Sequence, residues 1–116
     1  KAGCFMDCIF CKIISGDILR KKVYEDDFVL PFEDINKQAP VHVVFIPKAH
    51  IKSAAEINEE NSVYVAKIFE AISKYANKEL ENGYRVITNI GHDGCQSIEH
   101  LHFHVLGGKK LSEKII

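Results

Sequence analysis

Glu99-His100-Leu101-His102-Phe103-His104-Val105-Leu106-Gly107-Gly108 alternates imidazoles with apolar side chains from His100 to Val105. Successive side chains of a β-strand point to opposite faces. A strand here presents Leu101, Phe103 and Val105 to a core and gathers His100, His102 and His104 on the other face. The three imidazoles span about 14 Å, at roughly 6.6 to 7 Å per alternate residue. Half of the six histidines thus share one surface, and two chemistries suit such a row. It binds a catalytic metal, or it supplies a nucleophile and hydrogen-bond donors to a phosphate. Open metal sites generally add carboxylate or further imidazole ligands, yet no aspartate lies within or directly after the stretch and Glu99 faces away. Gly107-Gly108 lets a substrate or another backbone come close. The composition suits an anion held against a strand end.

Working outward, Tyr84 to Asn89 (YRVITN) reads as a strand and Gly91-His92-Asp93-Gly94 as a loop of turn formers. Between Asn58 and Leu80, the apolar residues Val65, Phe69, Ile72, Ala76 and Leu80 recur at steps of three and four, one face of a long helix. Its other side carries Lys67, Glu70, Lys74, Lys78 and Glu81, a solvated surface. Val41 to Ile46, dense in β-branched and aromatic residues and closed by Pro47, predicts a central strand. Val23-Tyr24 and Phe28 to Phe32 suggest a hairpin joined at Glu25-Asp26-Asp27, with Pro31 placing part of it at an edge or bulge. Ile9 to Ile14 reads as a short helix or turn ended by Ser15-Gly16-Asp17. The order predicts an α+β domain: a largely antiparallel sheet of about five strands, one long helix and a short N-terminal helix. Residues 6–116 read as one domain. Residues 1–5 precede Met6, a natural initiator, and are set aside from the site argument, Cys4 included.

Of 116 residues, 47% are hydrophobic, enough for one real core. Fifteen basic and sixteen acidic side chains leave a formal charge of -1. No broad cationic field exists to collect nucleic acid or an anionic membrane, so a bound nucleotide must be held locally. No run approaches the roughly 18 apolar residues of a membrane span, and the charged start does not resemble a secretion signal. The expectation is a cytoplasmic protein. Cys8 and Cys11 form a CxxC pair, while Cys95 stands alone. Outside a secreted disulfide framework such a pair means metal binding, redox chemistry or burial. Zinc takes about four ligands in a tetrahedron, of which this pair supplies two. No thioredoxin-like βαβ pattern surrounds it, which weakens the redox reading.

EHLHFHVLGG resembles the signature of the histidine triad superfamily. CIFCKII near the start, DINKQAPVHVVFIPKAHI and GYRVITNIGHDGCQS also look like segments of its small nucleotide-binding branch, in the same order. The resemblance implies hydrolysis of nucleoside 5′-phosphoramidates, with His102 attacking the α-phosphorus to give a nucleotidyl-histidine that water cleaves. It implies that a backbone carbonyl fixes the His102 tautomer and that His104 donates to a phosphate oxygen. Ser97 and Asn89 match positions near the phosphate and leaving group, and His42 one that supports His102 or the departing amine. Ile9, Phe10, Ile13, Phe32 and Ile35 match positions around a purine base, and Asp34 one that accepts from ribose hydroxyls. His50 and His100 would complete a structural zinc site with Cys8 and Cys11, and no catalytic metal is required. A homodimer whose two sheets join into one is likewise implied.

Two departures bear on specificity. Cys95 stands where the family has a second glycine in its phosphate loop, and the chain ends in KKLSEKII without the proline-rich tail of some relatives. Two other functions remain open: hydrolysis of dinucleoside polyphosphates by the same nucleophile, and a nucleotide-binding or protein-interaction module. A DNA-end-processing role is disfavoured, because neither a finger domain nor a basic bias is present.

Overall fold

The computed structural model describes residues 7–114. Four strands, β1 (Val29–Glu33), β2 (Val41–Pro47), β3 (Tyr84–Ile87) and β4 (Phe103–Gly107), form one antiparallel sheet in the order β1-β2-β4-β3. Helix α1 (Ile9–Ser15) precedes the sheet, and helix α2 (Ser62–Glu79) joins its halves after a short 3-10 turn at Ala54–Glu56. The α+β class, the long helix and the short N-terminal helix agree with expectation, and β2 is central. Among the described residues, no helix is long and apolar enough to cross a membrane.

The expected fifth strand is reduced to a single bridge, Lys22 with Phe32. Two hydrogen bonds flank it: Val23 N–H to the Pro31 carbonyl at 2.9 Å and Glu33 N–H to the Lys21 carbonyl at 3.0 Å. Pro31 has no N–H to return to Val23, so the ladder stops there. The hairpin expected at Val23-Tyr24 is therefore a contact along the outer edge of β1. Proline also trims the histidine strand. Pairing of β2 with β4 ends at Phe45 opposite Phe103, because Pro47 has no N–H for a further rung. Leu101 N–H goes instead to the Ile51 carbonyl at 2.6 Å. His100 and His102 thus lie in the lead-in to β4 rather than within it, yet the alternation of faces is kept.

Leu101, Phe103 and Val105 pack with Val29, Val43 and Phe45 against Ile68, Ala71, Ile72, Ala76 and Leu80 of the α2 region. On the opposite face, Phe10, Ile13 and Ile14 of α1 pack with Leu30, Phe32, Val44 and Ile46. The buried stripe of α2 departs from the expected one. Ile68 and Ala71 lie at its centre, Val65 is only partly buried, and Phe69 is 45% exposed. Both sets fit a helical period, and packing chose the one facing the sheet. Phe69 still lays its ring edge on Phe103, centroids 5.3 Å apart. The two terminal glycines serve the fold. A Cβ on Gly107 would meet Leu80 Cδ2 at 2.9 Å, and one on Gly108, at φ 93°, would meet Pro40 Cβ at 2.9 Å. At Gly107-Gly108 the groups that come close are thus Leu80 and Pro40 of the chain itself.

Candidate functional site

The lead-in to β4 and the strand itself hold the row of imidazoles against α1. His102 is 5% exposed, and its ring lies 5.1 Å from those of Phe10 and His104. Its Nδ1 lies 2.7 Å from the His100 carbonyl. A carbonyl only accepts, so Nδ1 carries the proton and donates, which leaves the Nε2 lone pair open. Burial pushes the His102 pKa below 6.5, and the bond to the His100 carbonyl pulls it partly back. The ring is therefore neutral near pH 7, the state in which imidazole is a nucleophile.

His104 sits beside it, paired through Nδ1 to His42 Nε2 at 2.9 Å. Burial first, then the neighbouring His102 and His42, drive the His104 pKa down to about 4. His42 is 4% exposed, and burial lowers its pKa against the pull of Asp34. The imidazole that His42 meets directly is that of His104, which in turn lies beside His102. Asp34 lies at the same corner, its Oδ2 3.4 Å from His42 Nε2 and its Oδ1 accepting from Asn36 N–H at 2.8 Å.

The remaining positions fall into two groups. Phe10, Ile13 and Phe32 are buried core, with the Phe10 and Phe32 rings edge to face at 5.5 Å. Ile9 and Ile35 are exposed, Ile35 by 71%, and Ile35 lines a surface cleft together with Asp34. Ser97 is exposed in a second cleft, with Ile9, His50 and Lys52 among its walls. Asn89 Nδ2 donates to the Gly94 carbonyl at 2.8 Å, tying down the loop after β3.

Two residues escaped the sequence reading. Gln96 clamps the same loop, its Nε2 donating to the carbonyls of Lys52 and Ile98 at 2.8 and 2.9 Å and its Oε1 accepting from Gly91 N–H at 3.0 Å. Thr88 Oγ1 donates to the His102 carbonyl at 2.8 Å. A glutamine directly beside Ser97 in a turn-rich loop was the available signal for the first; a threonine in the stretch expected to be a strand gave none for the second. Cys95 adopts φ 61°, the sole positive value outside glycine among the described residues. A side chain in that region costs roughly 1–2 kcal/mol, which explains why glycine suits the position.

A second cluster lies at the start of α1. Cys8 caps the helix, its Sγ 3.4 Å from Cys11 N, and the CxxC spacing turns both sulfurs to one side. Cys8 Sγ is 3.4 Å from His100 Nδ1, Cys11 Sγ is 3.4 Å from His50 Nδ1, and Cys11 Sγ is 3.7 Å from His100 Nδ1. One donor atom from each of the four residues lies within 4.8 Å of all the others. Zinc at about 2.3 Å from sulfur and about 2.0–2.1 Å from nitrogen sets tetrahedral edges of roughly 3.6 Å. The donor set fits that ion. His100 supports the fit further, because its Nε2 lies 3.0 Å from the Pro47 carbonyl, the backbone contact that orients a ligating imidazole. Burial holds the His100 pKa at about 4, so the ring is neutral and Nδ1 has a lone pair to give. Cys11 is disulfide-bonded in this structure, so the four-ligand site belongs to the protein with that thiol reduced. Four protein ligands leave no open position, which makes the site structural.

Residues 7–115 match the family described as "Scavenger mRNA decapping enzyme C-term binding". The chain belongs to the histidine triad superfamily. It is 45% identical over 107 residues to an uncharacterized HIT-like protein of Buchnera aphidicola, covering 90% of this chain and 96% of that one. It is 42% identical over 109 residues to a 14 kDa zinc-binding protein of Zea mays, covering 90% of this chain and 84% of the relative. Among solved structures, a HIT family hydrolase from Clostridium thermocellum superposes with a TM-score of 0.92 at 44% identity, covering 97% of this chain and 99% of that one.

Proposed function

We propose that the protein hydrolyses nucleoside 5′-phosphoramidates through a covalent nucleotidyl-histidine. The observation that carries the reading is the 2.7 Å bond from His102 Nδ1 to the His100 carbonyl. It leaves Nε2 as a neutral nucleophile at the centre of a water-poor row. In the first step Nε2 attacks the α-phosphorus, the new nitrogen–phosphorus bond replaces the one to the amine, and the amine departs with a proton from solvent, which the water of the second step gives back. In the second, water attacks the same phosphorus and the bond to Nε2 breaks. Nucleoside monophosphate leaves and neutral His102 returns. His104 donates to a non-bridging oxygen as charge builds there. Ser97 and Asn89 serve the phosphate and leaving-group side. Asp34 takes the ribose hydroxyls, with Ile9 and Ile35 against the purine and Phe10, Ile13 and Phe32 shaping the slot from behind.

Zinc belongs in this reading as a structural ion on Cys8, Cys11, His50 and His100, pinning α1 to the lead-in of β4 and keeping His100 out of the chemistry. A site built on two thiolates suits a reducing compartment, in keeping with a cytoplasmic protein. Two copies pair into a homodimer, and light scattering at micromolar protein is expected to return twice the chain mass; a single chain mass would remove that part of the reading.

The test is amine release from a fluorogenic adenosine 5′-phosphoramidate without added magnesium. Release is expected from wild type. If none is seen with well-folded, zinc-loaded protein, the reading fails and diadenosine polyphosphates are tried next. Turnover of those alone assigns the dinucleoside polyphosphate reaction, and failure of both leaves a nucleotide-binding module.

A further inference from the structure

Gln38 N–H donates to His42 Nδ1 at 3.1 Å. A backbone amide cannot accept, so His42 Nδ1 holds a lone pair and the neutral ring carries its proton on Nε2. That proton faces two acceptors, His104 Nδ1 at 2.9 Å and Asp34 Oδ2 at 3.4 Å. Asp34, His42 and His104 also lie close enough together to suggest a cation site. The Gln38 amide argues otherwise, because a cation on His42 would need the nitrogen that carries the proton. The trio is a hydrogen-bonded relay. His104, accepting at Nδ1, must carry its own proton on Nε2, the one donor it has left.

We infer that His42 is a positioning residue that locks His104 as the Nε2–H donor, and that ribose hydroxyls bound at Asp34 tighten the lock. The second half rests on the phosphoramidase reading above. Asp34 Oδ2 competes with His104 for the single His42 proton. When ribose hydroxyls occupy that carboxylate, the proton belongs to His104 alone. A nucleoside without them leaves the carboxylate free to draw it away. His104 can then turn to the Nδ1–H form, whose Nε2 lone pair faces the phosphate and donates nothing. Recognition of the sugar thereby acts on the chemical step as well as on binding.

Nitrogen-15 spectra of the imidazoles in the zinc-loaded full chain test the lock without turnover. Near neutral pH, His104 and His42 are each expected to show a protonated Nε2 and a bare Nδ1. In His42→Phe, His104 is expected to become a mixture of tautomers; an unchanged His104 spectrum there overturns the lock. Kinetics on wild type test the ribose link without any variant. A 2′,3′-dideoxy adenosine phosphoramidate is expected to lower kcat about tenfold, the worth of one hydrogen bond, besides raising KM. His42→Phe is expected to have a low kcat that the missing hydroxyls lower no further. His42→Gln, which can accept from Gln38 and donate to His104, is expected to recover part of the loss. A dideoxy effect confined to KM overturns the ribose link. Absence of turnover on every phosphoramidate sinks the reaction reading and the ribose link together, while the spectra still decide the lock.

Discussion

The α2 face of the sheet and the α1 face are drawn from the same strands and are about equally buried, but they are held together differently. Toward α2, Val43, Phe45, Phe103 and Val105 pack in one hydrophobic cluster, with tyrosine rings at its margin. Toward α1, Val44 and Ile46 share the surface with His42, His100 and His102, each no more than 5% exposed. Among the described residues, no buried side-chain nitrogen or oxygen lacks a hydrogen-bond partner. The apolar face needs volume and shape, and tolerates exchange of similar groups. The imidazole face needs a specific partner for each nitrogen, since an unpaired polar group in such surroundings costs about 1–3 kcal/mol. One face supplies stability, and the other spends its burial on holding particular protons in place.

The contrast should break most visibly with His102→Ala. Turnover of the phosphoramidate is expected to fall by about 10⁴-fold or more, as for other lost nucleophiles. Stability in urea should change by only about 1–2 kcal/mol, the range of one lost hydrogen bond. A variant that keeps a tenth of wild-type turnover would remove His102 from the role. Phe45→Ala is the mirror experiment, since that ring is fully buried on the other face. It should cost about 3–5 kcal/mol of stability, while the folded fraction retains near-normal kcat; a marginal loss of stability would deny the α2 face its part.

Chelation comes next. Stripping metal from reduced protein is expected to lower stability by about 3 kcal/mol, as for an ion held at roughly a hundred times its Kd, and the melting temperature by more than 10 °C. A metal assay showing no zinc, together with an unmoved melting temperature, would refute the site. The smallest effect is that of pH. Burial holds His104 at about 4 against an ordinary 6.5, so the unfolded chain binds a proton that the folded one refuses. Stability is then whole above about 6.5 and is lost as the pH falls toward 4. Melting curves should be level above pH 7 and decline through that window. A rise there would contradict the assignment of buried neutral rings.

Much of this was legible in the chain itself. Strict alternation from His100 to Val105 placed three rings and three core residues on opposite faces, because the period of two survives even where the strand's hydrogen bonds do not. The CxxC spacing placed two sulfurs together, and the resemblance pointed to His50 and His100 beside them. The parts that were not legible depend on backbone groups, which every residue possesses. Nothing in the letter Gln38 says that its amide will choose the His42 tautomer, and nothing in Thr88 says that its hydroxyl will reach the His102 carbonyl. The ends of the ladders at Pro31 and Pro47 follow from which side of the strand each missing N–H falls on, a matter of register. The stripe of α2 was ambiguous by one residue, since two overlapping sets share the helical period.

Register at Pro31 has one more outcome. The outer edge of β1 is spent: one carbonyl and one amide are taken by residues 21 and 23, and proline has nothing to offer between them. The far edge, β3, receives no main-chain bond from beyond the sheet among the described residues. A ribbon with a single receptive side can be lengthened only once. Two copies meeting there leave no free rim for a third, so growth by strand addition halts at a pair and cannot run on into a fibre.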